Sequence, residues 1–105
     1  MIAREKIYKL VEQELDEANE KYPLFHSPHE AYAVLKEEVD ELEHEMEKIW
    51  SLTDSLWVAV KSDRNIESYA DRIYAYAVMT VQEAIQVAAM CDKIKQSELY
   101  NEKEG

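Results

Sequence analysis

Glycine and proline are nearly missing from this chain: its one glycine is the last of 105 residues, and it has two prolines, Pro23 and Pro28. Turns and strands are normally punctuated by Gly, Pro and Asn, so a strand-rich fold with many tight reversals is excluded and an all-α chain is expected. Cysteine occurs once, at Cys91. That rules out an intramolecular disulfide and fits a reducing, cytoplasmic setting; a lone thiol of this kind packs as a small core residue. Positive charge is scarce as well, with 12 Lys and Arg against 23 Asp and Glu and a net charge of −11. Nucleic-acid backbones and anionic membrane surfaces are themselves negative, so neither is an expected partner. Cation binding, or plain solubility, fits the balance. An apolar opening is lacking too: residues 1–10 carry Arg4, Glu5, Lys6 and Lys9 rather than the apolar run of a signal peptide, so none is expected. The length is that of one domain, 1–105, and so small a core gains from a second copy.

What is present is helical periodicity. Ile7, Leu10, Val11, Leu15 and Ala18 recur at three- and four-residue steps, which predicts an amphipathic helix over about 2–20. "KYPLFHSPHE" interrupts it. Ser27 is a good N-cap, Pro28 suits the first helical position, and Glu30 completes a capping box. A second helix follows with apolar residues at Leu35, Val39, Leu42, Met46, Ile49, Leu56 and Val60, a near-heptad seam. The polar patch 51–55, "SLTDS", favours a break or kink. "KSDRN", 61–65, reads as a loop, and a third helix is expected over 66–99. Its main seam is Ile66, Ala70, Ile73, Ala77, Thr80, Ala84, Val87, Cys91 and Ile94, with a second stripe at Tyr76, Met79 and Met90. A helix apolar on two faces is surrounded on two sides. The expected architecture is an antiparallel bundle of three main helices, completed by homo-oligomerisation into a four-helix-bundle-type core, with a frayed tail over about 100–105.

Within the third helix, "IYAYAVMTVQEAIQVAAMC" (73–91) keeps a single formal charge, Glu83, in a chain one third charged. Gln82, Glu83 and Gln86 at its centre exclude a membrane span and point to a core helix. A buried lone carboxylate is neutralised, paired or given a metal. Seven carboxylates crowd 37–47 in the second helix. A solvated helix face is the plain account of most of them. At roughly 100° per residue, however, Glu38, Glu41 and Glu45 fall on one edge of the apolar stripe, and Glu38 and Glu41, three apart, are neighbours. Long antiparallel helices joined by a short loop face each other along their inner edges. Glu38, Glu41, Glu83 and the Gln86 carbonyl then form an all-oxygen cluster, which suits Mg²⁺ or Mn²⁺ rather than zinc.

"EEVDE" (Glu37, Glu38, Glu41) followed by "EAIQ" (Glu83, Gln86) resembles the EExxE…ExxD signature of the MazG-like all-α nucleoside triphosphate pyrophosphohydrolases. "YPLFHSPHEAYAVLKEEVDEL" and "QEAIQVAAM" look like a small phage- and Firmicute-type group within that superfamily. The resemblance runs from about residue 13 to 94. It implies a homodimer or homotetramer whose carboxylates hold Mg²⁺ against a nucleoside triphosphate, with water attacking between the α- and β-phosphates to release pyrophosphate and a nucleoside monophosphate. By the same resemblance Glu38, Glu41 and Glu83 match metal ligands, and Glu37 and Glu38 match the catalytic acidic positions, Glu37 as ligand or base.

Two departures stand out. Gln86 occupies the signature's final Asp, and an amide is neutral and takes no proton. The gap between Glu41 and Glu83 is also long, and Glu67 with Asp71 offers a second alignment with a poorer flank. The alternative these departures favour is a non-catalytic helical oligomer that keeps the fold and binds a nucleotide or partner protein. His26 and His29 flank the cap and are expected at the surface. Trp50, Trp57, Tyr74 and Tyr76 are expected to pack or to make oligomer contacts, and Lys93 and Lys95 suit the dipole at a helix C-terminus.

Overall fold

The computed structural model describes residues 1–100; the expected frayed tail falls on 101–105, outside that range. Three helices account for nearly all of it: α1 (Arg4–Lys21), α2 (Pro28–Lys61) and α3 (Glu67–Gln96). No strand occurs among the described residues, and no helix there is long and apolar enough to cross a membrane.

Local chemistry explains each boundary. The residue before a proline is pushed out of the helical region, and Tyr22, preceding Pro23, is extended with φ −136° and ψ 145°. Ser27 caps α2 with Pro28 at the first turn. The Ser27 Oγ accepts the Glu30 N–H at 3.1 Å while Glu30 Oε1 accepts the His26 N–H at 2.8 Å, so the box closes one residue upstream of the cap. At the other end of α2 the chain reverses through Asp63, in the left-handed region at φ 53°. Glycine would be the ordinary choice there; Asp is among the few side chains that tolerate it. The Asn65 side-chain oxygen then accepts the Glu67 N–H at 2.8 Å to start α3.

Helix α2 runs unbroken through 51–55, against the expected kink. Neither Pro nor Gly lies in that patch. Thr53 donates its hydroxyl to the Ile49 carbonyl at 2.8 Å, a bond made within the helix. Ser51, Thr53, Asp54 and Ser55 face water while Leu52 and Leu56 stay half-buried. The polar patch is an outer face.

α2 and α3 form a long antiparallel hairpin, and the α1 backbone lies closer to α3 than to α2, meeting α2 through side chains of the shared core. Leu10 lies near Gln82 and Ile85, and the Asn19 amide donates to Gln96 Oε1 at 3.0 Å, so α1 runs alongside the C-terminal half of α3 in the same direction. The principal core sits at that end, where Val11, Leu15, Phe25, Ala31, Ala89 and Met90 meet. The other half of the hairpin is two helices thick, and the molecule is 64 Å long and about 26 Å across.

The helical faces differ from the expected seams. Ile7 and Leu10 of α1 are exposed, leaving Val11 and Leu15 inside. On α3 the residues turned inward are Tyr69, Ile73, Tyr76, Thr80, Glu83, Val87 and Met90, whereas Ala70, Ala77, Ala84 and Cys91 face outward in the single chain. The inward face shares Ile73, Thr80 and Val87 with the expected seam but takes Tyr69, Tyr76, Glu83 and Met90 in place of Ala70, Ala77, Ala84 and Cys91, a rotation of about 50°.

Removing the Ser27 cap leaves the Glu30 N–H without its partner. Ser27→Ala is expected to cost about 1 kcal/mol in a urea unfolding titration with an unchanged m-value; no loss would show that Pro28 and the His26–Glu30 bond suffice.

Candidate functional site

The α2–α3 register brings Glu38, Glu41 and Glu83 together: one carboxylate oxygen from each lies within 4.8 Å of the other two. Glu38 and Glu41 lie one turn apart on α2, and Glu83 answers them from the inward heptad of α3. Glu38 and Glu83 are half-buried and Glu41 is exposed. The Oε2 atoms of Glu38, Glu45 and Glu83 are buried and accept no hydrogen bond. The ion pairs among the described residues, His26–Glu30 and Lys36–Asp40, lie outside the cluster. The three carboxylates therefore face one another with no basic side chain between them.

The electrostatic consequence is a proton held tightly. Burial, then the hydrogen bond and charge of Glu41, then the charges of Glu38 and Glu45 push the Glu83 carboxyl up from its usual range to about 7. Glu38 is raised as well, first by burial and then by the like charges of Glu41, Glu37 and Glu14, with the hydrogen bond to Glu83 opposing the shift. Near neutral pH the molecule can relieve the repulsion by protonating Glu83, which then donates to Glu41. A hard dication between the oxygens would relieve it without the proton. The donor set fits such an ion: all oxygen, anionic, with unpartnered lone pairs turned inward. Acidic clusters also form without an ion, and the proton is the competing solution.

Gln86 lies one turn beyond Glu83 on α3 and is half-buried. It lines a different space, a groove of about 550 Å³ bounded by α1 on one side and the start of α2 on the other, with α3 as its floor. Glu38 reaches both the carboxylate cluster and this groove. Glu37 is exposed on the rim between the groove and a smaller recess of about 330 Å³ that holds Glu41, His44, Glu45 and Glu83. The four expected metal positions are thus split: Glu38, Glu41 and Glu83 converge, and Gln86 is placed beside Glu38 in the groove. The second alignment, through Glu67 and Asp71, uses residues exposed in the first turn and a half of α3, outside both the groove and the recess.

Two contributors were not expected as site residues. Glu45 follows Glu41 by one turn, so the same spacing rule that paired Glu38 with Glu41 extends to it. Glu14 comes from α1, and no periodicity within one helix reports which residues of another helix approach it. His26 and His29 are exposed, with His26 Nδ1 3.5 Å from Glu30 Oε1. Trp50, Trp57 and Tyr74 are exposed away from the site, and only Tyr76 of the four aromatics is half-buried, its ring 5.3 Å from Lys48 Nζ.

Comparison with protein-family models, curated proteins and solved structures finds no match to this chain.

The raised Glu83 carboxyl has a definite thermodynamic sign. Between its unfolded value of 4.5 and about 7, the folded chain holds a proton that the unfolded chain does not, so stability falls as pH rises through that window. Metal-free protein is expected to melt at a lower temperature at pH about 8 than at about 5.5, and Glu83→Gln to remove much of that difference. Equal pH dependence in the variant would place the titration elsewhere.

Proposed function

We propose that this chain is a MazG-like nucleoside triphosphate pyrophosphohydrolase that works with Mg²⁺, or Mn²⁺, and releases pyrophosphate and a nucleoside monophosphate. The observation that carries the reading is the meeting of two sequence blocks far apart in the chain. Glu38 and Glu41 of "EEVDE" lie against Glu83 of "EAIQ", within 4.8 Å, with no basic side chain to neutralise them. A groove of nucleotide size opens beside them.

In this reading Glu38, Glu41 and Glu83 hold the ion, and Gln86 offers a neutral oxygen from the groove side. The ion's contribution is to offset phosphate charge at the reacting centre. Glu37, exposed on the rim next to Glu38, is placed to take a proton from the attacking water. The proton that Glu83 carries near neutral pH must leave before Glu83 can act as an anionic ligand, so metal binding is tied to proton release. Burial of Glu38 and Glu83 between α2 and α3 keeps the ligand oxygens in place, because their rotamers are confined by the packed seam.

A second copy is part of the proposal. Trp50 and Trp57 are 57% and 59% exposed, and Tyr74, Val78, Met79 and Val81 are open as well, along the part of the hairpin that α1 does not cover. Covering these side chains in a homodimer or homotetramer would build the four-helix core that one chain lacks. Sedimentation is expected to give a multiple of 12.3 kDa, and Trp57→Glu to shift it towards the single chain; a wild-type monomer at high concentration removes this part of the reading.

A second reading rests on Gln86. Its amide stands where the signature has a carboxylate, so a site of one less charge would bind a nucleotide without turning it over. The activity test separates the two. Incubation with a panel of nucleoside triphosphates and Mg²⁺ is expected to release pyrophosphate, and Glu38→Gln to slow release at least about 100-fold, since losing a ligand removes several kcal/mol of charge stabilisation. No release from the parent, with release from Gln86→Asp, favours the binding protein.

A further inference from the structure

The groove between α1 and α2 contains a feature that the carboxylate cluster does not explain. Lys93, on the floor provided by α3, is 2% exposed. A lysine whose stem is packed this tightly keeps its ammonium at an opening, because an unpaired buried charge is costly, and for Lys93 that opening is the groove. Among the described residues Lys93 Nζ forms no ion pair and no hydrogen bond. Its one neighbour of note is the Phe25 ring, with the centroid 5.1 Å away, a cation–π contact that accepts no hydrogen bond and leaves the three N–H donors free. Lys93 nevertheless lines the groove. The helix-dipole role of a C-terminal lysine is served equally by exposed Lys95 in the same turn, and it does not require burial.

The surroundings constrain what such an ammonium can meet. The backbone carbonyl of Lys93 is engaged by the Ser97 hydroxyl at 2.7 Å, and the same Ser97 oxygen accepts the Phe25 N–H at 2.9 Å. These bonds tie the connector before α2 to the end of α3 and set Phe25 against Lys93. Met90 and Val34 supply an apolar wall, and Lys21 from the end of α1 is the other cation of the groove. Seven residues separate Gln86 from Lys93, roughly 10 Å of helical rise, and helical side chains lean back towards the N-terminus. Lys93 and Gln86 thus line the same groove about two turns apart. That spacing matches a chain of phosphates with one end at the carboxylate cluster and the other at a lysine.

We propose that Lys93 is a phosphate-binding residue: its ammonium, on a buried stem, donates to a non-bridging oxygen of a polyphosphate lying in the α1–α2 groove, at the end remote from Glu38, Glu41 and Glu83. The proposal rests on the metal-binding reading of those three residues, because the carboxylates that line the groove repel a polyphosphate unless a cation accompanies it. Lys93 then adds direction. It distinguishes an anion lying lengthwise in the groove from one held at the cluster alone.

Calorimetric titration of the full chain, first with Mg²⁺ alone and then with inorganic triphosphate at saturating Mg²⁺, tests this. Inorganic triphosphate is used because it leaves the nucleobase out of the comparison. Lys93→Met keeps the length and apolar stem, so the fold is expected to melt no lower than the parent. It is expected to weaken triphosphate binding about tenfold or more, the scale of a lost charged hydrogen bond. Lys93→Arg is expected to stay within about threefold of the parent, and Mg²⁺ binding to be unchanged in both variants. Triphosphate affinity unaltered in Lys93→Met overturns the proposal while leaving the metal reading intact, as does a lower melting temperature with unaltered affinity, which would make Lys93 a structural anchor for Phe25. Triphosphate binding absent from the parent despite bound Mg²⁺ also overturns it. Absence of Mg²⁺ binding in the parent overturns the metal reading itself.

Discussion

A packed seam that places like charges against each other governs this molecule. Leu42, Met46 and Ile49 of α2 and Ile73, Tyr76, Val87 and Met90 of α3 are the inward residues of the hairpin, and burying them sets the register of the two helices. That register leaves no choice for Glu83, which occupies an inward heptad position between Thr80 and Val87. It lands beside Glu38 and Glu41 because the apolar residues on either side are worth more buried than the carboxylates cost. The raised Glu83 and Glu38 carboxyls are the residue of that conflict. A proton on Glu83 resolves it, and the proposed cation would compete with that proton for the same oxygens.

The groove follows from a second constraint, the shortness of α1. Pro23 ends α1 after 18 residues, and the Ser27 cap restarts the chain as α2 only after Phe25 has turned inward. Because the α1 backbone settles closer to α3 than to α2, a channel remains between α1 and α2, with Lys93 and Gln86 on its floor. The cluster and the groove share Glu38, so charge at one is felt at the other. The same short helix leaves half of the hairpin uncovered, with Trp50 and Trp57 open.

Much of the fold was legible in the residues. The near absence of Gly and Pro, the capping box at Ser27 and Glu30, and the "KSDRN" loop located three helices to within a few residues. The convergence of Glu38, Glu41 and Glu83 was legible too, because helical spacing puts two of them on one edge and a short loop makes their helices antiparallel. Less was legible where polar residues sit on a buried face. The inward heptad of α3 runs through Glu83, so the expected seam took the neighbouring Ala84 instead, came out rotated by about 50° and placed Cys91 inside. The 51–55 patch suggested a kink because serine and threonine are weak helix formers, yet they face water on a helix whose inner side, Leu52 and Leu56, stays packed.

The sequence by itself determined the helical class, the helix boundaries and the acidic edge of α2, since these depend on neighbours within one or two turns. Only the tertiary structure decided that α1 lies closer to α3 than to α2, that Gln86 opens onto a groove outside the Glu38–Glu41–Glu83 cluster, and that Lys93 lines that groove on a buried stem. Those facts depend on which faces meet across helices, and the packing of α1 against the far half of α3 settles them. No spacing along a single helix carries that information, because the energy that fixes it comes from side chains separated by up to seventy or more positions, such as Asn19 with Gln96 and Phe25 with Ser97.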